Sequence, residues 1–325
     1  MRVGVIGVGS MGQNHARILS EMGLLGCVAD SSADIAKFVG GKYSVKHFSN
    51  YQELLKSGVD AVVVVTPTTT HEKIASEAIR AGKHVLLEKP MTGSSKTLSD
   101  VTKLARKAKV VLAGGFTERH NPVVAFAKQS LQSNEFGELI TAATRRVSSL
   151  PTRIRDVGVV MDLGVHDIDV VQHVVGKKAK AVYALGGRGK GTKYEDHANV
   201  LIDFERGTTG FVEVNWLTPM KVRKLALTCS RNFVEVDYMD QSALVSSSSF
   251  KPFESGNLYN VPLEFDVRRI AIKKEEPLKR ELADFLNAIK SNKDPLVTGE
   301  SAIETLRIAE AALESMATGN KVEVK

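Results

Sequence analysis

The sequence predicts an α/β protein: a doubly wound parallel sheet first, then an α/β domain with an open, mainly antiparallel sheet. Three observations lead there. Short β-rich runs alternate with amphipathic helical runs over the first third of the chain. A G-x-G-x-x-G hexapeptide, Gly7 to Gly12, joins the first strand to the first helix. Beyond about Phe116 the alternation gives way to consecutive strands linked by tight turns. At about 150 residues per domain, 325 residues make two domains, placed at 1–118 and 119–325.

The elements follow in order. Arg2 to Ile6 reads as a buried strand, and Ala16, Ile18, Leu19 and Met22 mark the apolar stripe of a helix over about 12–22. A second strand ends near Asp30. Ala61 to Val65 is apolar throughout, as a strand buried on both faces requires. The next helix carries Ile74, Ala75, Ala78 and Ile79 and stops at Ala81-Gly82, a C-cap signal. His84 to Leu87 is a strand, Leu98, Val101, Leu104 and Ala105 mark a helix, and Val110 to Ala113 is one more strand. In the second part, helices over 122–131 and 162–175 flank a strand from Leu139 to Ser148. Strands then run over 198–204, 209–216, 224–229 and 233–238, the first pair joined at Glu205-Arg206-Gly207, a hairpin signal. Two helices close the chain, with Leu278, Leu282, Phe285 and Ile289 on one face, and Ile303, Leu306, Ala309, Leu313 and Met316 on another.

Composition narrows the function. With 43% hydrophobic and 25% charged residues the chain has apolar surface enough to fold, so disorder is excluded. The run from Ala61 to Val65 is far too short to span a bilayer, and no signal peptide is expected because a strand begins at Arg2. Two cysteines, Cys27 and Cys229, cannot make a disulfide framework or a four-ligand zinc site, and a reducing cytoplasmic setting follows. The net charge of +7 suggests nucleic acid, yet aromatics are only 6% and no Lys/Arg run is interleaved with them. No nucleic-acid or membrane partner is expected. The arginines between Arg145 and Arg155 face a small anionic ligand or solvent.

The hexapeptide points to a dinucleotide. Its three glycines serve the tight turn, the approach of backbone to pyrophosphate, and helix–strand packing. The helix start, with Ser10 and Met11, offers free N–H donors and the positive end of its dipole. Asp30 stands about 20 residues on, where a carboxylate accepts the ribose hydroxyls. That carboxylate repels a 2′-phosphate, and Ser31 and Ser32 bring no arginine; Lys37 reads as a solvated helix charge. NAD is expected over NADP.

Two clusters are candidates for chemistry. Glu88-Lys89-Pro90 sits at the carboxyl end of a strand, where open α/β sheets bind ligands, and the proline biases Lys89 to an extended backbone. An ordinary surface lysine is the competing reading. Asp162 and His166 are spaced to share a helix face, where a carboxylate fixes the imidazole tautomer. Against this stand an N-cap aspartate beside an exposed histidine, and a metal site, since Asp162, His166 and Asp169 offer oxygen and nitrogen ligands. Acid–base work is favoured over zinc, and no metal is expected.

Together the glycine motif, Thr66-Pro67, Glu88-Lys89-Pro90, Asp162-x3-His166-x2-Asp169 and Glu195-Asp196-His197-Ala198-Asn199 resemble the Gfo/Idh/MocA oxidoreductases nearly end to end. The resemblance implies a Rossmann domain binding NAD and an α/β domain for substrate, whose open sheet forms an oligomer interface in many members. It implies that Lys89 contacts the substrate hydroxyl and nicotinamide, that His166 is the general acid/base with Asp162 beside it, and that Thr66, Pro67 and Glu88 line the nicotinamide side. His71 is counted with the cofactor residues, and Arg119, Arg145, Arg153, Arg155 and Asp169 with the substrate. Where many members carry a glycine run before the aspartate, this chain has Arg155-Asp156-Val157-Gly158-Val159-Val160-Met161. The stretch from Pro151 to Gly158 resembles members acting on nucleotide sugars, notably at C3 of UDP-N-acetylglucosamine. A homo-oligomer, dimer or tetramer, acting on a sugar or nucleotide sugar is expected; the alternatives are an inositol or free-sugar dehydrogenase and a non-catalytic dinucleotide sensor.

Overall fold

The first strand of the computed structural model, which describes residues 1–150, 157–189, 193–250 and 263–325, is β1 (Val3–Ile6), fully buried. After it come α1 (Ser10–Glu21), β2 (Leu25–Ala29), α2 (Ala33–Lys42), β3 (Lys46–Phe48), α3 (Tyr51–Leu55) and β4 (Ala61–Val64). The alternation continues through α4 (Thr68–Arg80), β5 (His84–Glu88), α5 (Ser95–Ala108) and β6 (Leu112–Gly115). The six strands are parallel, in the order β3-β2-β1-β4-β5-β6. That order reverses between β1 and β4, and the carboxyl ends of strands at such a switch point are where doubly wound sheets bind ligands. Both strands flanking the switch are buried on both faces, which their unbroken valine-rich runs require.

The second sheet begins after α6 (Pro122–Gln132) with β7 (Leu139–Ser149). A π-helical turn, Val160–Gly164, leads into α7 (Val165–Val175). Then come β8 (Ala179–Gly187), β9 (His197–Phe204), β10 (Thr209–Asn215), β11 (Leu217–Cys229), β12 (Phe233–Asp237), β13 (Ser242–Phe250) and β14 (Leu263–Ile270). The chain closes with α8 (Pro277–Ser291), α9 (Gly299–Thr318) and β15 (Val322–Glu323). Nine strands order as β14-β13-β12-β11-β7-β10-β9-β8-β15, antiparallel except for the β10–β7 pair. Alternation along β7 buries Ala142, Thr144 and Arg146 on the face that packs α7. On the other face the register lines up Tyr183, Leu201, Phe211, Ala143 and Ala226 across five strands.

The chain forms two compact units, Met1–Thr117 with Glu276–Arg307, and Glu118–Glu275 with Ile308–Lys325. The expected split at 118 therefore needs correction at the C-terminal end. Leu278, Leu282, Phe285 and Leu286 of α8 join the core made by Val3, Val5, Ile18, Leu19 and Val63. Their helical stripe was visible in the sequence; the core that would bury it was not. Strands β3, β8, β13, β14 and β15 were also not expected; β3 and β15 are too short to show a period and β13 is serine-rich.

Candidate active site

In the first unit the glycine loop behaves as its motif demands. Gly7 takes φ +86°, and a Cβ there would lie 2.5 Å from the Val65 carbonyl oxygen. A Cβ on Gly12 would lie 1.9 Å from the Gly7 carbonyl oxygen, so helix and loop meet backbone to backbone. At Gly9 a Cβ would meet no protein atom within 4 Å, so internal packing does not explain that glycine. Close approach by a ligand does. Helix α1 starts at Ser10 with no side-chain cap, leaving its first N–H groups for an anion. Asp30 is fixed at the end of β2: one carboxylate oxygen accepts the Val8 N–H (2.9 Å) and the other the Ser32 N–H (2.9 Å). An open glycine, an uncapped helix start and a held carboxylate fit a dinucleotide. Gly7, Gly9, Ser10, Met11, Gly12 and Asp30 are the residues that would hold it.

Lys89 follows β5, and its backbone is tied down by its neighbour. The buried Glu88 carboxylate accepts the Lys89 N–H (3.0 Å) with Oε2, while Oε1 pairs with His15 Nε2 (2.9 Å). Burial alone pushes the Glu88 carboxyl up; the hydrogen bond and charge of His15, with Lys89, bring it below the usual range. His71, counted with the cofactor residues, is enclosed by backbone. Its ring is 1% exposed, with Nε2 2.7 Å from the Thr66 carbonyl oxygen and Nδ1 3.0 Å from that of Pro90. Burial holds its imidazole below the ordinary range. Held neutral, the ring has one N–H, so it donates to one of these carbonyls and lies against the other, buried between the segment after Lys89 and the start of α4. Thr66 and Pro67 stand at the start of α4, where the Thr66 hydroxyl accepts from Thr70 (2.7 Å).

In the second unit Asp162 lies in the π-helical turn and His166 in the first turn of α7. Asp162 is not an N-cap, because its N–H already donates to the Gly158 carbonyl (3.0 Å). The cap comes from Glu195: its side chain accepts the Val160 N–H (3.1 Å) and its carbonyl the Val159 N–H (3.0 Å). Gly158 leaves room for this cap, since a Cβ would fall 2.0 Å from the Glu195 carboxylate and displace it. Sequence reasoning quoted Glu195 only as part of a motif; it is what holds the start of the segment bearing Asp162.

The expected substrate residues separate. Arg119 and Asp169 form a buried bidentate pair, both contacts 2.6 Å, so they bind each other and tie the turn before α6 to α7. Arg145 points away from α7. It is paired with Glu213 (2.6 Å) on the opposite face of the sheet, whereas Arg146 reaches Glu118 (2.9 Å) and Asp167 of α7 (3.2 Å). Adjacent residues of a strand face opposite sides, which removes Arg145 from the His166 side. Arg153 and Arg155 lie outside the described residues. A residue not anticipated, Arg223, is paired with Arg146 in the β11–β7 register and so shares the α7 face. Its one ion pair among the described residues is a long one, 3.7 Å to Glu118. Burial and the charge of Arg146 hold its guanidinium below the usual arginine range.

A doubly wound sheet with a dinucleotide loop, followed by an α/β unit carrying a histidine–carboxylate segment, defines an NAD-binding oxidoreductase. Family models agree over most of the chain. Residues 1–116 match the oxidoreductase family, NAD-binding Rossmann fold, residues 124–235 the GFO/IDH/MocA C-terminal domain, and residues 269–324 the oxidoreductase family, C-terminal alpha/beta domain. The chain belongs to the Gfo/Idh/MocA oxidoreductase family. It is 28% identical to a UDP-N-acetylglucosamine 3-dehydrogenase of Acidithiobacillus ferrooxidans over 97% of this chain and 96% of that one. The crystal structure of the Acidithiobacillus ferrooxidans enzyme superposes with a TM-score of 0.87, covering 98% and 99% of the two chains. It is also 26% identical to a scyllo-inositol 2-dehydrogenase (NAD(+)) of Bacillus subtilis, over 100% of this chain and 96% of the other.

Proposed function

We propose that the protein oxidises a sugar ring hydroxyl, at C3 of a UDP-linked N-acetylhexosamine, with NAD as its cofactor. The observation that carries this is the match to the UDP-N-acetylglucosamine 3-dehydrogenase over nearly the whole of both chains, in sequence and in fold. When bound, NAD supplies the acceptor for the hydride that leaves the ring carbon. His166 takes the hydroxyl proton as general base. The Lys89 ammonium stabilises the negative charge that develops on the oxygen, and Asp162 supports the imidazole. A diphosphate asks for a fixed guanidinium, and Arg223, lightly paired on the α7 face, supplies one. A pure dinucleotide sensor needs neither Lys89 nor His166.

The second reading, an inositol or free-sugar dehydrogenase, is favoured by the full-length likeness to the inositol enzyme. One assay separates them. UDP-sugars, free sugars, sugar phosphates and inositols are offered with NAD and a trap that consumes the keto product, because alcohol oxidation by NAD runs uphill unaided. Turnover confined to UDP-N-acetylhexosamines supports the first reading; turnover of inositol with UDP-sugars inert moves the enzyme to the second. The same proposal includes a homo-oligomer formed through the outer face of the nine-stranded sheet.

A further inference from the structure

Behind Lys89 three elements of the first unit bring together side chains to which the proposed reaction gives no proton to move. His15 comes from α1, Glu88 from the end of β5 and Glu281 from α8, and one nitrogen or oxygen of each lies within 4.8 Å of the others. All are buried, at 0%, 6% and 2% exposure. Glu88 is fully engaged by His15 and the Lys89 N–H. Glu281 is the anomaly: among the described residues neither of its carboxyl oxygens makes a hydrogen bond of good geometry, the nearby Thr117 hydroxyl included. Two carboxylates so close in a dry site repel strongly, and an ionised carboxyl without a partner costs several kcal/mol. Something must neutralise one of them.

We propose that Glu281 is carried as an uncharged carboxylic acid beside the His15–Glu88 pair, so that it leaves Glu88 as the single buried anion and acts as a positioning residue for the backbone of Lys89. This rests on the first unit alone, whatever the substrate. A divalent cation is the other way to balance the charge, and the site suits it poorly. Three ligands fall short of a closed four-coordinate site. His15 Nδ1 also has no partner among the described residues, whereas a ligating histidine donates its other N–H. The groups facing Glu281 agree with a proton. Burial first, then the charge of Glu88, then Asp284 push its carboxyl well above the carboxylate range, and the Thr117 hydroxyl offsets only part. Glu88 faces His15 and Lys89 in turn, which keep it the ionised member. With Glu281 protonated, Glu88 keeps its hold on the Lys89 N–H; with both ionised, repulsion loosens that hold and the seat of α8.

The test is infrared spectroscopy of the whole chain carrying ¹³C-labelled glutamate, at neutral pH. A protonated-glutamate carbonyl band is expected in the wild type and should vanish in Glu281→Gln, which keeps shape and neutrality. Thermal melting across pH gives the second readout. The folded-state acid binds its proton more tightly than the unfolded one, so wild-type stability falls as pH rises above the unfolded value of 4.5. Glu281→Gln removes that fall and melts above wild type by a margin that widens with pH. Absence of the labelled band in the wild type overturns the proposal without any variant. So does a stoichiometric divalent metal in the purified protein that Glu281→Gln loses, or a Gln variant whose stability follows the wild-type pH slope.

Discussion

His166→Ala is expected to lower turnover about 10²–10⁴-fold, the usual contribution of a positioned general base, with NAD affinity little changed. Lys89→Ala should cripple turnover as well, and steady-state kinetics beside cofactor titration checks both; near-normal turnover of either variant removes its role. Asp30→Ser takes a charged partner from the ribose and should weaken NAD by one to two decades, about 1.5–3 kcal/mol, while easing rejection of NADP. Because Asp30 also holds the Val8 and Ser32 amides, part of that loss will come from a looser loop. Tighter binding of NADP than NAD by the unmutated protein would refute the reading of Asp30. Two arginines give the sharpest contrast. Arg223→Met should raise the KM for a UDP-sugar well before it lowers kcat, whereas Arg145→Ala should leave both alone. Equal effects of the two changes would contradict the assignment of sheet faces. At this scale the glycine loop with Asp30, the strand-end place of Lys89 and the helical place of His166 were legible because each sits in a local motif. Arg145, Arg119 and Asp169 were misread because their partners depend on strand facing and on contacts 50 or more residues away.

At the scale of elements, Glu195 makes a prediction that a motif alone would not. It satisfies the first N–H groups of the π-helical turn that carries Asp162 and leads into His166. Glu195→Ala should cost about 0.5–2 kcal/mol, as loss of a helix cap does, and lower Tm by a few degrees. Turnover should drop further than that stability loss explains, with NAD affinity held, because the helix start bearing the proposed base His166 and Asp162 is loosened. Calorimetry paired with cofactor titration separates these effects; unchanged turnover would make Glu195 a cap and nothing more. The β1–α1–β2 segment could be read from sequence because strand period, glycine loop and helix stripe are all local. The π-helical turn could not: the sequence reading begins this helix at Asp162, whereas the structure begins it at Val160, where Glu195, more than thirty residues on, caps it. The affiliation of α8 was hidden likewise: its stripe of Leu278, Leu282 and Phe285 says that a core lies beneath, and only the fold says which.

For the whole molecule the outer face of the nine-stranded sheet carries the remaining prediction. Helix α7 packs on the inner face over β7 and β10, but on the outer one Tyr183, Leu201, Phe211, Ala143 and Ala226 form a cross-strand row. Leu201 is 48% exposed and Tyr183 38%, with Leu185 beside them at 57%. Polar rows border this stripe: the Arg145–Glu213 pair on one side, and Asp203 with Lys180 and Lys321 on the other. An apolar strip within a polar rim is how a protein–protein interface is built, and monomers seldom leave such strips open. A closed symmetric dimer would lay the strip on its own copy, so each face is its own partner. Light scattering at micromolar concentration should find more than one copy per particle. Leu201→Lys then places a charge at the centre of the strip on both sides of the contact, where like charges cannot be paired, and should shift the protein to monomer. Circular dichroism should stay unchanged, since the Leu201 side chain stands outside the core. A wild type that is monomeric throughout, or a Leu201→Lys variant that assembles as before, would place the oligomer elsewhere or abolish it.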